Sequence, residues 1–128
     1  MDPTVLLTEY WDTIARHDAA GISRFFQPDA KSFLHDSDEV MSVDDWVAHL
    51  EGSSGQWAVT VDRIDRLDSG GFVTVTFHRS PDWVGFVVSF FTIADGLIAE
   101  LHEYYSPCDD FVVPQWRADL AEHETLPG

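Results

Sequence analysis

Glu103 is the residue of this chain best placed by type and spacing to do chemistry. It lies in the segment Leu101-His102-Glu103-Tyr104-Tyr105, which reads as a strand, so side chains at every second position share a face. The flanking turns set a register: Ile93 pairs with Ile98 across Asp95-Gly96, and Arg79 with Val84 across Pro81-Asp82. One face of this three-stranded unit then carries Val73, Val75, Phe77, Phe86, Val88, Phe90, Leu101, Glu103 and Tyr105. The other carries Thr74, Thr76, His78, Val87, Ser89, Phe91, Glu100, His102 and Tyr104. The first face reads as core, and Glu103 is its only charge. A carboxylate among Val and Phe must be paired, hydrogen-bonded or protonated. Enzymes use such surroundings to raise an acid's pKa toward neutrality for proton transfer. Two roles follow for Glu103: a catalytic acid–base group, or half of a structural ion pair with Arg117, Arg16 or Arg24.

His35 is the second catalytic candidate. It stands beside Asp36 at the end of a strand and shares parity with Phe33, and an imidazole near a buried Glu makes an acid–base pair. Tyr10, Trp11, Trp57 and Tyr105 supply walls for a ligand pocket, with Phe77, Val88 and Phe90 from the sheet and Trp116 from near the C-terminus. Ordinary core packing competes with that reading for every aromatic residue. The six His invite a metal, but no His-x-His or His-Glu-x-x-His spacing occurs and Cys108 is alone, so no metal is expected. There is no Gly-x-Ser-x-Gly elbow, phosphate loop or dinucleotide fingerprint, and no cofactor is expected.

The elements that must position these residues begin with helices. Asp2 caps a helix with Pro3 in its first turn, and Leu7, Trp11 and Ile14 recur at helical spacing, widened by Leu6 and Tyr10. Asp18 caps a shorter helix bearing Ile22, Phe25 and Phe26, which Gln27-Pro28-Asp29 stops. Ala30 to Asp36 reads as a strand. Ser42 and Asp45 open a third helix with Val43, Trp46, Val47 and Leu50 on one face, and Gly52 closes it. From Trp57 the period changes to two. Ile64 falls on the opposite parity to Val59 and Val61, which predicts a bulge. Turns at Asp68-Ser69-Gly70-Gly71, Ser80-Pro81-Asp82 and Ala94-Asp95-Gly96 separate the strands, and Pro107 closes the last. Helices first and hairpins after predict an α+β fold, with N-terminal helices on a strongly curved antiparallel sheet that encloses a pocket.

A chain of 128 residues accommodates one domain, here residues 1–121 with a polar tail at 122–128. Twenty-three acidic residues against seven basic give a formal charge of −16, a field that repels nucleic acid and anionic membranes. The N-terminus lacks a basic stretch followed by an apolar one, and the lone Cys excludes an intrachain disulfide, so a cytoplasmic location is expected. The apolar run Val84–Ala94 is too short to span a bilayer. Val87, Phe91 and Tyr104 leave the outer sheet face half apolar, which predicts a homodimer built sheet to sheet.

The order of helix, short helix, strand, helix and a sheet ending in Phe90-Phe91-Thr92-Ile93-Ala94-Asp95-Gly96-Leu97-Ile98 resembles the SnoaL-like branch of the nuclear transport factor 2-like superfamily. Within it the chain looks similar to small proteins with a His-plus-acid segment after the first strand, here His35-Asp36-Ser37-Asp38-Glu39. They also share a late Glu103-Tyr104-Tyr105 and Pro114-Gln115-Trp116-Arg117. The resemblance implies a cone-shaped fold, a pocket for a small apolar molecule, and a dimer. Relatives include ketosteroid isomerases, polyketide cyclases, dehydratases, epoxide hydrolases and plain binding modules, so it does not imply one reaction. Two functions are therefore expected as alternatives. One is cofactor-independent acid–base chemistry at Glu103 and His35. The other is a non-catalytic dimeric module in which Glu103 pairs with Arg117.

Overall fold

The computed structural model describes residues 2–53, 57–108 and 112–120. Helix α1 (Pro3–Ala15) starts where Oδ1 of Asp2 accepts the Thr4 N–H at 2.9 Å. Its buried stripe is Leu6, Leu7, Tyr10, Trp11 and Ile14. A 3-10 helix (Ala19–Phe25) follows, capped by the Asp18 side chain on the Gly21 N–H. Next come β1 (Phe26–Leu34), a short β2 (Glu39–Met41) that was not expected, and α2 (Val43–Gly52), whose Ser42 cap accepts the Asp45 N–H. Four long strands complete the sheet: β3 (Ala58–Arg66), β4 (Phe72–Arg79), β5 (Val84–Ala94) and β6 (Leu97–Pro107). A single turn, α3 (Gln115–Ala118), lies beyond them, and the polar tail at 122–128 lies outside the described residues. No described helix is long and apolar enough to cross a membrane.

The strand order is β2-β1-β6-β5-β4-β3, with β2 and β3 as open edges. The sheet is mixed rather than antiparallel throughout, because β1 runs parallel to β6. These two strands are separated by about half of the chain, so no hairpin dictates their relative direction. Gln27-Pro28-Asp29, expected as a stop, lies inside β1. Proline is tolerated there because β2 pairs only with Ser32–Leu34 and the β6 ladder is interrupted between Phe26 and Lys31. The bulge expected near Ile64 is present as a register shift between Val61 and Arg63.

The register of β4 on β5 is the expected one, with Phe77 opposite Phe86 and Val75 opposite Val88. The β5–β6 hairpin also begins as expected, Ile93 opposite Ile98 across Asp95 and Gly96, both in the left-handed region (φ 52° and 78°). A bulge then intervenes. Thr92 pairs with Glu100, leaving Ala99 as the extra residue, so Ser89 rather than Val88 stands opposite Glu103.

The consequence is a correction of face. Glu103, Leu101 and Tyr105 point inward with Phe72 and with Thr74, Thr76, Val87, Ser89 and Phe91, the last five assigned from sequence to the outside. Val73, Val75, Phe77, Phe86, Val88, Phe90 and Tyr104 form the outer surface. Phe77, Val88 and Phe90 are therefore not pocket walls. Phe77 is nonetheless buried, with Phe86 against it and the Arg79 guanidinium 5.3 Å from its ring centroid. Of the apolar residues assigned to the outer face, Val87 and Phe91 are buried inside and only Tyr104 is outside.

The core fills the space between the helices and the inner face. Tyr10 is fully buried there, edge-on to Trp11, Phe25, Phe26 and Phe91 at centroid distances of 5.1 to 5.9 Å.

Candidate functional site

Inner-face residues line up in cross-strand rows. Phe72, Phe91 and Leu101 form an apolar floor. Above it stand Thr74, Ser89 and Glu103, then Thr76, Val87 and Tyr105, and last His78, Gly85 and Pro107. Half of the side chains in the two middle rows, Thr74, Thr76 and Ser89, are small hydroxyl residues. They leave volume unfilled, and a cavity of about 790 Å³ opens between this part of the sheet and the helices. Trp11 and Ile14 of α1, Trp46 and Leu50 of α2, and Trp57 wall it, while Asp36 and the turn Arg79–Trp83 frame the mouth.

Glu103 is 4% exposed. Its Oε2 accepts the Ser89 hydroxyl at 2.8 Å and its Oε1 accepts the Tyr105 hydroxyl at 3.0 Å. Burial raises its pKa above the ordinary carboxylate value, and the two hydroxyl bonds oppose the rise without cancelling it. The same charge holds the neighbouring phenols protonated. Burial and then Glu103 raise Tyr105, and the same two causes raise Tyr10, whose oxygen accepts the Trp46 indole N–H at 3.1 Å.

His78 sits in the last row. Its Nε2 lies 2.8 Å from Oγ1 of Thr76, which gives its own proton to the Val87 carbonyl, so Nε2 is the donor. Burial lowers its pKa to about 4. Trp83 lies over Gly85, with centroids 6.3 Å from His78 and 6.1 Å from Tyr105. A Cβ at Gly85 would stand 2.7 Å from the Trp83 ring and 2.5 Å from the Ser106 carbonyl oxygen, so only glycine lets this indole lie flat at the mouth.

The structure brings Glu103, Trp11, Trp57 and Tyr105 together at one cavity and keeps Tyr10 in the core behind it. His35 is placed elsewhere. It is exposed on the outer face, its Nε2 2.8 Å from Nδ1 of His102 and its ring stacked 4.5 Å from Tyr104. Only its backbone N–H approaches Glu103, donating to the carbonyl oxygen at 3.1 Å, so the expected His35–Glu103 pair of side chains is not formed. The next residue, Asp36, reaches the cavity instead, accepting the Tyr105 backbone N–H at 3.3 Å. Trp116, 74% exposed, and Arg117, also exposed, lie on α3 away from the cavity lining. Hydroxyl groups, not the expected Arg117, engage both oxygens of Glu103.

Sequence reasoning missed His78, Trp46, Trp83 and Asp36 as cavity residues. The signal was in the Thr and Ser spacing: a strand face that borders a cavity carries small side chains, so Thr74, Thr76 and Ser89 marked the inside rather than solvent.

A SnoaL-like domain model matches residues 7–101, and the chain belongs to that family. Solved structures agree on the fold. An NTF-2 like protein of unknown function from Burkholderia xenovorans superposes with a TM-score of 0.81 at 19% identity, covering 95% of this chain and 94% of that one. A Kribbella flavida protein provisionally assigned as a ketosteroid isomerase gives 0.78 at 20% identity over 95% and 89%. An LEH-like epoxide hydrolase from M. tuberculosis gives 0.64 at 14% identity over 79% and 80%. No curated protein sequence matches the chain.

Proposed function

We propose that the cavity binds a small molecule with a largely apolar body and that Glu103 exchanges a proton with it, without a cofactor. One observation carries this reading: a carboxyl group with a raised pKa, and with no cation among the described residues hydrogen-bonded to it, is buried at the wall of an aromatic-lined cavity. A structural ion pair would instead place a guanidinium on its oxygens. Glu103 acts as base in its ionised form, while Ser89 and Tyr105 hold its two oxygens and fix its orientation. Tyr105, kept protonated, completes a hydroxyl–carboxyl pair through which a proton can return to the ligand. The isomerase and epoxide hydrolase assignments of structural neighbours are consistent with such chemistry, though at 20% and 14% identity they speak to fold alone.

The experiment is a thermal-shift screen of apolar compounds, followed by turnover measurements on hits with the native chain and Glu103→Gln. Retained ligand binding with turnover reduced by about 10²–10⁴-fold supports proton transfer by Glu103. Unchanged turnover in the variant refutes it.

The outer face of β4–β6 supports a homodimer. Phe90 is 38% and Tyr104 44% exposed there, and with Val73, Val75 and Val88 they form an apolar strip between the Arg63–Asp65 pair of β3 and the His102–Glu100 pair of β6, in a chain whose net charge of −16 otherwise repels a second copy.

A further inference from the structure

Most hydrogen-bond donors among the described residues of the cavity wall are spent. The Trp11 N–H goes to Thr74, that of Trp46 to Tyr10 and that of Trp57 to the Ser53 carbonyl oxygen. His78 gives its proton to Thr76, and the Tyr105 hydroxyl goes to Glu103. Among the described residues, the indole N–H of Trp83, at the mouth, has no hydrogen-bond partner. Acceptors remain: each oxygen of Glu103 accepts one bond where it can take two, Asp36 has a second oxygen, and Asp82 faces the mouth.

The charge is equally one-sided. Among the described residues, three carboxylates border the cavity. The one permanent cation of that described lining, Arg79, turns its guanidinium over the Phe77 ring on the opposite face of the sheet. Burial keeps His78 neutral and lowers His49. Four of the five Trp in the chain line this space, and their π-faces are negative. An anionic ligand would meet the repulsion of these carboxylates, and a pure acceptor would find few donors left to it. A cation meets aromatic faces and an uncompensated carboxylate in a partly desolvated site, where both attractions are strongest.

We propose that the ligand of this cavity is an organic cation, an amine or quaternary ammonium on an apolar body, whose positive charge sits among Trp11, Trp46, Trp57 and Trp83 and faces Glu103 and Asp36. The proposal rests on the reading of the cavity as the ligand site and adds the chemical class of what enters it.

The test compares benzyltrimethylammonium with its neutral carbon isostere, (2,2-dimethylpropyl)benzene, on the full chain, read by quenching of the cavity tryptophans. The two probes have the same shape and differ in charge. The cation is expected to bind about tenfold tighter. Glu103→Gln should abolish most of that preference without weakening the neutral probe. Asp36→Asn, at an exposed site that keeps the acceptor for Tyr105, should reduce the preference by about two- to threefold and serves if the Glu103 variant fails to fold. Equal binding of both probes overturns the cation and leaves the ligand site standing. A preference that persists in both variants overturns the assignment of the charge to these carboxylates. If neither probe perturbs the tryptophans, the cavity is not the ligand site and both readings fall.

Discussion

Lowering the pH should expose His78 as a latent acid-labile point. An imidazole ordinarily takes a proton near pH 6.5, but burial holds this one to about 4 in the folded chain. The unfolded chain therefore binds the proton first, so the stability associated with the neutral ring is present above pH 6.5 and is lost as the pH falls toward 4. At about 1.4 kcal/mol per pH unit the gap amounts to about 3 kcal/mol when fully developed. At pH 4.5 about 2.5 kcal/mol of it has been lost, enough to lower the melting temperature by on the order of 10 °C in a domain of this size. Many carboxylates also titrate in this range, so the comparison must be with His78→Gln, whose amide nitrogen can still donate to Thr76. Urea unfolding of both proteins at pH 7.5 and pH 4.5 gives the double difference. The native chain should lose about 2.5 kcal/mol more than the variant, and ring NMR of the folded protein should show His78 unprotonated above pH 5. Equal pH dependence of the two proteins, or a His78 ring titrating near 6.5, would refute the claim that burial in this wall keeps the imidazole neutral.

Glu103 shifts the other way. Its folded pKa is raised, so the native state holds its proton longer than the unfolded chain, and the penalty of its charge grows as pH rises above the ordinary carboxylate range. Glu103→Gln should therefore gain stability relative to the native chain between pH 4.5 and neutrality, measured by urea melts across that interval. Tyr105→Phe removes one hydroxyl from the carboxylate and should raise the Glu103 pKa further, read from carboxyl ¹³C titration. Gly85→Ala should cost about 1–3 kcal/mol through its clash with the Ser106 carbonyl and displace Trp83, seen as altered indole fluorescence. Phe90→Glu on the outer face should convert a dimer to monomers in sedimentation velocity without changing cavity binding, and a native chain that sediments as a monomer would refute the dimer.

The elements themselves were legible in the sequence because their punctuation is local. Asp2 with Pro3, Asp18, Ser42 and the Asp95-Gly96 turn each act through a cap or a turn conformation that needs no tertiary partner. The inward direction of Glu103 was legible too, but its companions were not. Alternation counted back from the hairpin takes β6 as regular, and Val73, Val75 and Val88 look more like core than Thr74, Thr76 and Ser89. Hydrophobicity misled here because the inner face borders a cavity, and the outer face is apolar for a reason of its own. Ile98 and Leu101 held the missing clue, since two fully buried residues three apart cannot share one face of a regular strand. The same reasoning had located the bulge before Ile64. His35 could not be placed from sequence, because its face depends on a parallel pairing with β6 that no local signal announces.

Ala99 gives the hairpin a residue to spare. It has no partner on β5, so its removal would leave Ser89 opposite Glu103 and close the ladder into a regular one, with the acid still facing the cavity. Removing His102 instead would turn the rest of β6 over and send the acid to the outer surface. Laboratory evolution of this chain should therefore accept a deletion at 99 and reject one at 102, although the two positions lie on the same strand.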